Sequence, residues 1–151
     1  MEIRELNHPS ENEIQSIVEL INQFDNLKKT FTQEDIRFSV SAMDKKTSKL
    51  LVVIENEKII GYAFLAEVLF MGFGKYIELQ QIMIDKTFRN HGIGKKLLKR
   101  CEEWCREKGY SKIMLASRVH LSSSHAFYQK MGYQIVRQSY FFQKELNILN
   151  N

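Results

Sequence analysis

The sequence predicts a mixed α/β (α+β) fold, with a mainly antiparallel sheet of six to seven strands and about four flanking helices. Three observations lead there. Apolar residues recur with helical spacing in four separate stretches and with strand character in seven. The order is β, α, α, β, β, β, α, β, α, β, β, so the early strands can form an antiparallel meander. The strand–helix–strand passage from Tyr76 to Ser117 requires a parallel crossover, which is right-handed by default. Sheets of this kind bury their faces under helices.

Each element has its own warrant. Residues 3–7 alternate weakly and open the sheet. Ser10 and Glu13 have capping-box spacing, and Ile14, Ile17, Val18, Ile21 and Phe24 continue a helix to about Asp25. Thr32 to Asp35 starts a second helix, with Ile36, Val40 and Met43 on one face. Leu50–Glu55 is β-branched and apolar, hence a strand, and Asn56-Glu57 is a turn. Lys58–Phe70 is a long strand, Met71–Gly74 a loop, and Tyr76–Asp85 the next strand. Gly92–Lys108 is a helix with Ile93, Leu97, Cys101 and Cys105 inward, ended by Gly109. Lys112–Ser117 is a strand, and Ser123–Met131 a short helix stopped by Gly132. Tyr133–Arg137 and Tyr140–Glu145 are expected to close the sheet as a hairpin.

Composition sets the class. The 151 residues, 44% apolar and 26% charged, fit one domain spanning 1–151 with an ordinary core. A single proline and seven glycines leave no linker tract. Two cysteines four residues apart cannot build a disulfide framework and supply too few ligands for zinc, so they read as small core residues. The first ten residues lack the apolar stretch of a signal peptide, and no run approaches the roughly 20 apolar residues of a membrane span. A cytoplasmic protein without a membrane partner is expected. Between Lys86 and Lys112 stand nine basic and three acidic residues, more than the whole net charge of +4. That segment suits either an anionic partner or a solvated helix face.

The stretch from Glu78 to Leu98, ELQQIMIDKTFRNHGIGKKLL, carries the chemistry. A strand enters a loop that opens a helix, with Arg89, Gly92 and Gly94 in the pattern Arg-x-x-Gly-x-Gly. Glycines let backbone N–H groups approach a ligand, and a helix start presents unpaired N–H groups with partial positive charge. Together they suit a phosphate. The same residues also suit a plain strand–helix turn. A Walker loop would need glycine in place of Arg89, and the dinucleotide fingerprint would need a third glycine where Leu97 stands. The second stretch, Ala116–Tyr133, ends in Ala126-Phe127-Tyr128-Gln129-Lys130-Met131-Gly132-Tyr133, which alone reads as an amphipathic helix.

In this order and at this separation, the two stretches resemble the GNAT superfamily of acyl-CoA-dependent N-acetyltransferases. Arg-x-x-Gly-x-Gly is similar to that family's pyrophosphate motif, and Ala-Phe-Tyr-x-x-x-Gly-Tyr to its C-terminal signature. The resemblance covers nearly the whole chain. It implies the acyl-CoA N-acyltransferase fold, with acetyl-CoA as co-substrate and no metal. The cofactor would enter a cleft where two parallel strands, Tyr76–Asp85 and Lys112–Ser117, splay apart. Backbone groups of Ile82, Met83 and Ile84 would pair with the pantetheine arm. Arg89, Asn90, His91, Gly92, Ile93, Gly94 and Lys95 would surround the pyrophosphate. Tyr128 would protonate the departing thiolate, and Glu78 would serve as general base, with Glu67 or a water chain as rivals. Leu121 stands where the family often has a cofactor-contacting asparagine, and Lys86 where it often has proline. His125 reads as structural.

These residue types fit acyl transfer. An alkylamine of pKa about 10.4 must lose a proton before attack. A strand N–H such as Met83's can stabilise the carbonyl oxygen as it gains charge. A phenol of pKa about 10 can donate to a thiolate whose acid has pKa about 8.5. The implied acceptor is a small-molecule or protein primary amine. Phe24, Phe31, Phe38, Phe70, Met71, Phe73 and Tyr140–Phe142 suggest either an apolar acceptor pocket or core and homodimer contacts. A non-catalytic acyl-CoA-binding or regulatory module is the alternative. No nucleic-acid partner is expected, because no helix-turn-helix or aromatic RNA signature accompanies the basic segment.

Overall fold

The computed structural model describes residues 1–24 and 27–146. They form two compact units, Met1–Ala116 and Ser117 onward. The first holds strands β1 (Glu2–Glu5), β2 (Ser48–Glu55), β3 (Lys58–Phe70), β4 (Gly74–Ile84) and β5 (Ile113–Leu115). It also holds helices α1 (Glu11–Ile21), α2 (Gln33–Ala42) and α3 (Ile93–Glu107). The strands line up in chain order, antiparallel from β1 to β4 and parallel between β4 and β5. The fold class is therefore the mixed α/β sheet expected, with the strand–helix–strand crossover in place.

Both faces of the sheet are apolar because the central strands carry near-continuous β-branched runs. On one face Leu50, Val52, Ile59, Tyr62 and Met83 pack with Ile14, Ile17, Leu20 and Ile36 of α1 and α2. Helix α3 contributes Leu97, Leu98 and Cys101, all wholly buried, together with Trp104. Both cysteines are buried and unpaired. Burial pushes their thiols up, to about 12 for Cys101 and about 11 for Cys105. They are inert core residues.

Helices α1 and α2 begin as their sequences demand. Ser10 and Thr32 take extended backbone and close reciprocal capping boxes with Glu13 and Asp35. Helix α1 stops at Ile21, and the expected end near Asp25 lies outside the described residues. Asn56 and Glu57 both adopt left-handed backbone, φ 47° and 63°, turning β2 tightly into β3.

Two corrections concern the end of the chain. Strand β5 is three residues long, shorter than the six expected. Residues 134–146 are exposed and form no strand, so among the described residues the sheet has five strands rather than six or seven. Alternation gives a strand two faces but no partner. Gln138-Ser139 offers no residue that favours positive φ for a tight turn. A two-stranded hairpin without a packed face is marginal in water. The second unit contains α4 (Ser122–Lys130), which begins at Leu121 without a side-chain cap.

Candidate active site

The site is built on the second half of β4. Its parallel register with β5 runs from Ile77 opposite Ile113 to Leu79 opposite Leu115. There β5 ends, while β4 continues to Ile84. Among the described residues, no strand pairs with Gln80–Ile84 on that side. A stretch of strand edge is left open, with the N–H and C=O groups that an extended amide-bearing chain can use.

A bulge sits where the strands part. Leu65 of β3 pairs with Leu79 and Phe64 with Gln81, so Gln80 is the extra residue. An added residue reverses which side chains face which side. Ile77 and Leu79 belong to one face, whereas Met83 joins the α1–α2 core. Glu78 pairs with Ala66, two residues past Phe64, and so shares the α1–α2 face of the sheet.

Beyond Ile84 the chain is held firmly. The Asp85 N–H donates to the Ile60 carbonyl at 2.8 Å, and the Asp85 carboxylate accepts from Gln23 Nε2 at 3.0 Å. Its other oxygen accepts from the Thr87 N–H, the hydroxyl of Thr87 adding a further bond, and these hold the Asp85 carboxyl below the usual range. A 3₁₀ turn at Lys86–Phe88 follows. Arg89 folds back, Nε donating to the Ile84 carbonyl at 3.0 Å, with a guanidinium nitrogen 3.9 Å from Met83 Sδ. Asn90 and Gly92 both take positive φ, 65° and 75°.

Helix α3 then starts differently from α1 and α2. Its N-cap Gly92 has no side chain to give, and its first turn contains no acidic residue. A Cβ placed on Gly92 would meet nothing within 4 Å. Ile93 is buried, so it offers only its backbone, while Lys95 and Lys96 are exposed. Open space, unpaired amides and fixed positive charge fit a pyrophosphate. The residues from Glu78 to Lys95 thus form one continuous passage of the first unit. Tyr128 lies on α4 in the second unit, its ring 5.3 Å from Phe127 and 5.9 Å from Tyr133. His125 bonds the Arg118 carbonyl through Nε2 at 2.9 Å, a structural contact.

Glu67, the alternative base, is engaged by two partners. It pairs with Lys75 at 2.7 Å and accepts the Tyr110 hydroxyl. Those two partners, Lys75 foremost, hold its carboxyl below the usual range, and the same bond raises the Tyr110 phenol to about 12.

A cavity of about 480 Å³ lies against the bulge, between α1, α2 and the sheet. Ile17, Ile21, Ile36, Val40 and Phe64 give it apolar walls, and Gln80 and Gln81 border it. Phe31 and Phe38 reach it, as two of the aromatics suggested by the sequence. Phe70, Met71 and Phe73 are exposed around the β3–β4 turn, and Tyr140–Phe142 are exposed in the second unit. The bulge residues are additional to the sequence-based set. Two adjacent glutamines interrupting an apolar strand were the signal for them.

Comparison with known proteins identifies the family. The family model described as Acetyltransferase (GNAT) family matches residues 12–133. The chain belongs to the GNAT acetyltransferase family. This GNAT chain is 33% identical over 67 residues to human N-acetyltransferase 8, covering 44% of the chain and 30% of that protein. It spans only 30% to 43% of the length of the first curated relatives it matches. Among solved structures, a Bacillus halodurans C-125 transcriptional regulator superposes with TM-score 0.80 at 18% identity, over 95% of this chain and 99% of that one. The aminoglycoside N-acetyltransferase AAC(6')-Iy in complex with CoA gives 0.80 at 17% identity, over 96% and 95%. At such identities these two neighbours establish the fold. Among the described residues, no helix of this GNAT chain is long and apolar enough to cross a membrane. No group of three described His, Cys, Asp or Glu residues could hold a metal ion.

Proposed function

We propose that this chain is a single-domain N-acetyltransferase using acetyl-CoA to acetylate a primary amine by direct attack in a ternary complex. The observation that carries the reading is the junction in the first unit. An open β4 edge leads, through a loop tied back by Arg89, into a helix start without cap or acid. Bound acetyl-CoA supplies the activated thioester carbonyl.

The backbones of Ile82, Met83 and Ile84 align the pantetheine arm along the open edge. Amides from Asn90 to Lys95 hold the pyrophosphate, with the Lys95 ammonium beside them. Arg89 positions this loop against the end of β4. The Met83 N–H stabilises the carbonyl oxygen as it gains charge. Glu78, on the α1–α2 face, removes the amine proton directly or through water. Tyr128 donates a proton to the departing thiolate, so no covalent enzyme intermediate is required.

A non-catalytic acyl-CoA-binding module is the second reading. It is favoured by Leu121, which starts α4 without a side-chain hydrogen bond where the family often has asparagine. Tyr128→Phe separates the two. Thiol release with an amine panel should fall by about a hundredfold or more, the usual scale for general acid catalysis. Acetyl-CoA affinity by calorimetry should stay unchanged. Wild-type binding without thiol release from any amine would favour the non-catalytic module.

A further inference from the structure

The cavity beside the bulge has a lining that speaks to the amine, and the inference rests on the acetyltransferase reading just given. We propose that the acceptor is a monoamine with an apolar, aromatic-sized body, rather than a polycation such as a polyamine or an aminoglycoside. At about 480 Å³ the space lies in the range of small-molecule sites, roughly 300–1,000 Å³.

Its charge decides the class. Among the described residues lining it, Asp35 is the one carboxylate and Lys29 the one cation, and they pair with each other at 3.1 Å. Asp35 is doubly committed. Its other oxygen accepts the Thr32 N–H at 2.8 Å and closes the cap of α2. The remaining polar lining is neutral: Ser39, Tyr62, Gln80 and Gln81. Tyr62 already donates to Gln81 Oε1 at 3.2 Å.

The reacting ammonium gives up its proton to Glu78 under the proposed function, so one carboxylate outside the cavity lining serves one amine. Every further ammonium of a polycation would lose hydration here with no free carboxylate to receive it. An apolar body instead gains contact with Ile17, Ile36, Val40 and Phe64. The cavity reaches β4 at Gln80 and Gln81, where the open edge begins. An amine carried on a body in this space therefore approaches the strand along which the thioester arm is placed.

The test measures binding and turnover separately. Calorimetry and saturation-transfer NMR follow 2-phenylethylamine, propylamine and spermidine binding to the full chain, and thiol release follows acetylation of each. 2-Phenylethylamine should bind and turn over at least about tenfold better than either competitor, the scale of filling an apolar pocket. Ser39→Trp fills the cavity from an exposed position. It should remove that preference and leave acetyl-CoA affinity and the circular dichroism spectrum unchanged. Equal or better use of spermidine, or a preference that survives Ser39→Trp, overturns the proposal. Failure of acetyl-CoA to bind would defeat the enzyme reading alone. In that case, 2-phenylethylamine binding that Ser39→Trp abolishes still supports the cavity's selectivity, and its absence refutes it.

Discussion

The starts of α1 and α2 differ from the start of α3 in every respect that governs anion binding. The first two carry hydroxyl caps and acidic first turns, so their free N–H groups and partial charge are satisfied within the chain. The third has glycine at its cap, no acid in its first turn and two exposed lysines. One fold thus completes two helix ends internally and leaves the start of α3 uncapped, the end that the proposed function gives to a ligand. Stability and recognition draw on the same backbone groups, and the side chain at the cap decides which is served.

The strongest challenge to this contrast is Gly92→Val. A β-branched residue at φ 75° should cost about 1–2 kcal/mol of stability, visible in urea unfolding. The larger effect should be on acetyl-CoA. Losing one or two amide contacts to phosphate, at about 1.5–3 kcal/mol each, should weaken binding roughly a hundredfold in calorimetry. Unaltered affinity would mean that the α3 start holds no phosphate.

Lys95→Glu sharpens the contrast by giving α3 the acidic first turn of its neighbours. Stability should rise by about 0.3–1 kcal/mol through the helix dipole. Acetyl-CoA affinity should drop roughly tenfold, about 1.4 kcal/mol. Opposite signs are the informative result, since a merely structural lysine would leave affinity alone.

The smallest effect concerns acid. Burial of Glu13 opposes ionisation, but its bonds to Ser10 and its pairing with Arg4 outweigh this and lower its pKa from 4.5. Asp35 is likewise lowered from 3.8, chiefly by the Thr32 N–H and by Lys29. A carboxylate lowered by folding adds stability above its unfolded pKa and loses it as pH falls through the folded value. Urea midpoints should therefore decline below about pH 4.5. Glu13→Gln should flatten that decline while leaving acetyl-CoA affinity at neutral pH unchanged. An acid limb identical in Glu13→Gln would remove this cap from the account.

Much of this contrast was legible in the sequence. Ser10 with Glu13, Thr32 with Asp35, and Arg89 with Gly92 and Gly94 each act within a few residues, where spacing translates directly into geometry. The long strand Lys58–Phe70 was legible for the same reason, its run being bounded by turn residues at both ends. What escaped depends on partners distant in the chain. The length of β5 is set by where it parts from β4, and residues 134–146 alternate without any strand to pair with. The cavity arises from surfaces contributed by α1, α2, β2, β3 and β4, so no local pattern encodes it. Gln80-Gln81 was the exception, a visible break in alternation whose meaning emerges only from the register with β3.

That one extra residue has a genetic consequence. Surface loops absorb insertions and deletions, because nothing downstream depends on their count. At Gln80 the count is the information. Deleting a single codon there would restore unbroken pairing with β3, leave Met83 opposite Tyr62, and remove the local bend that the bulge puts into β4. That bend lies where β4 passes from the residues paired with β5 to the unpaired edge, beside the cavity. In comparing relatives of this chain, a gap at Gln80 marks a straight β4 in place of a bent one.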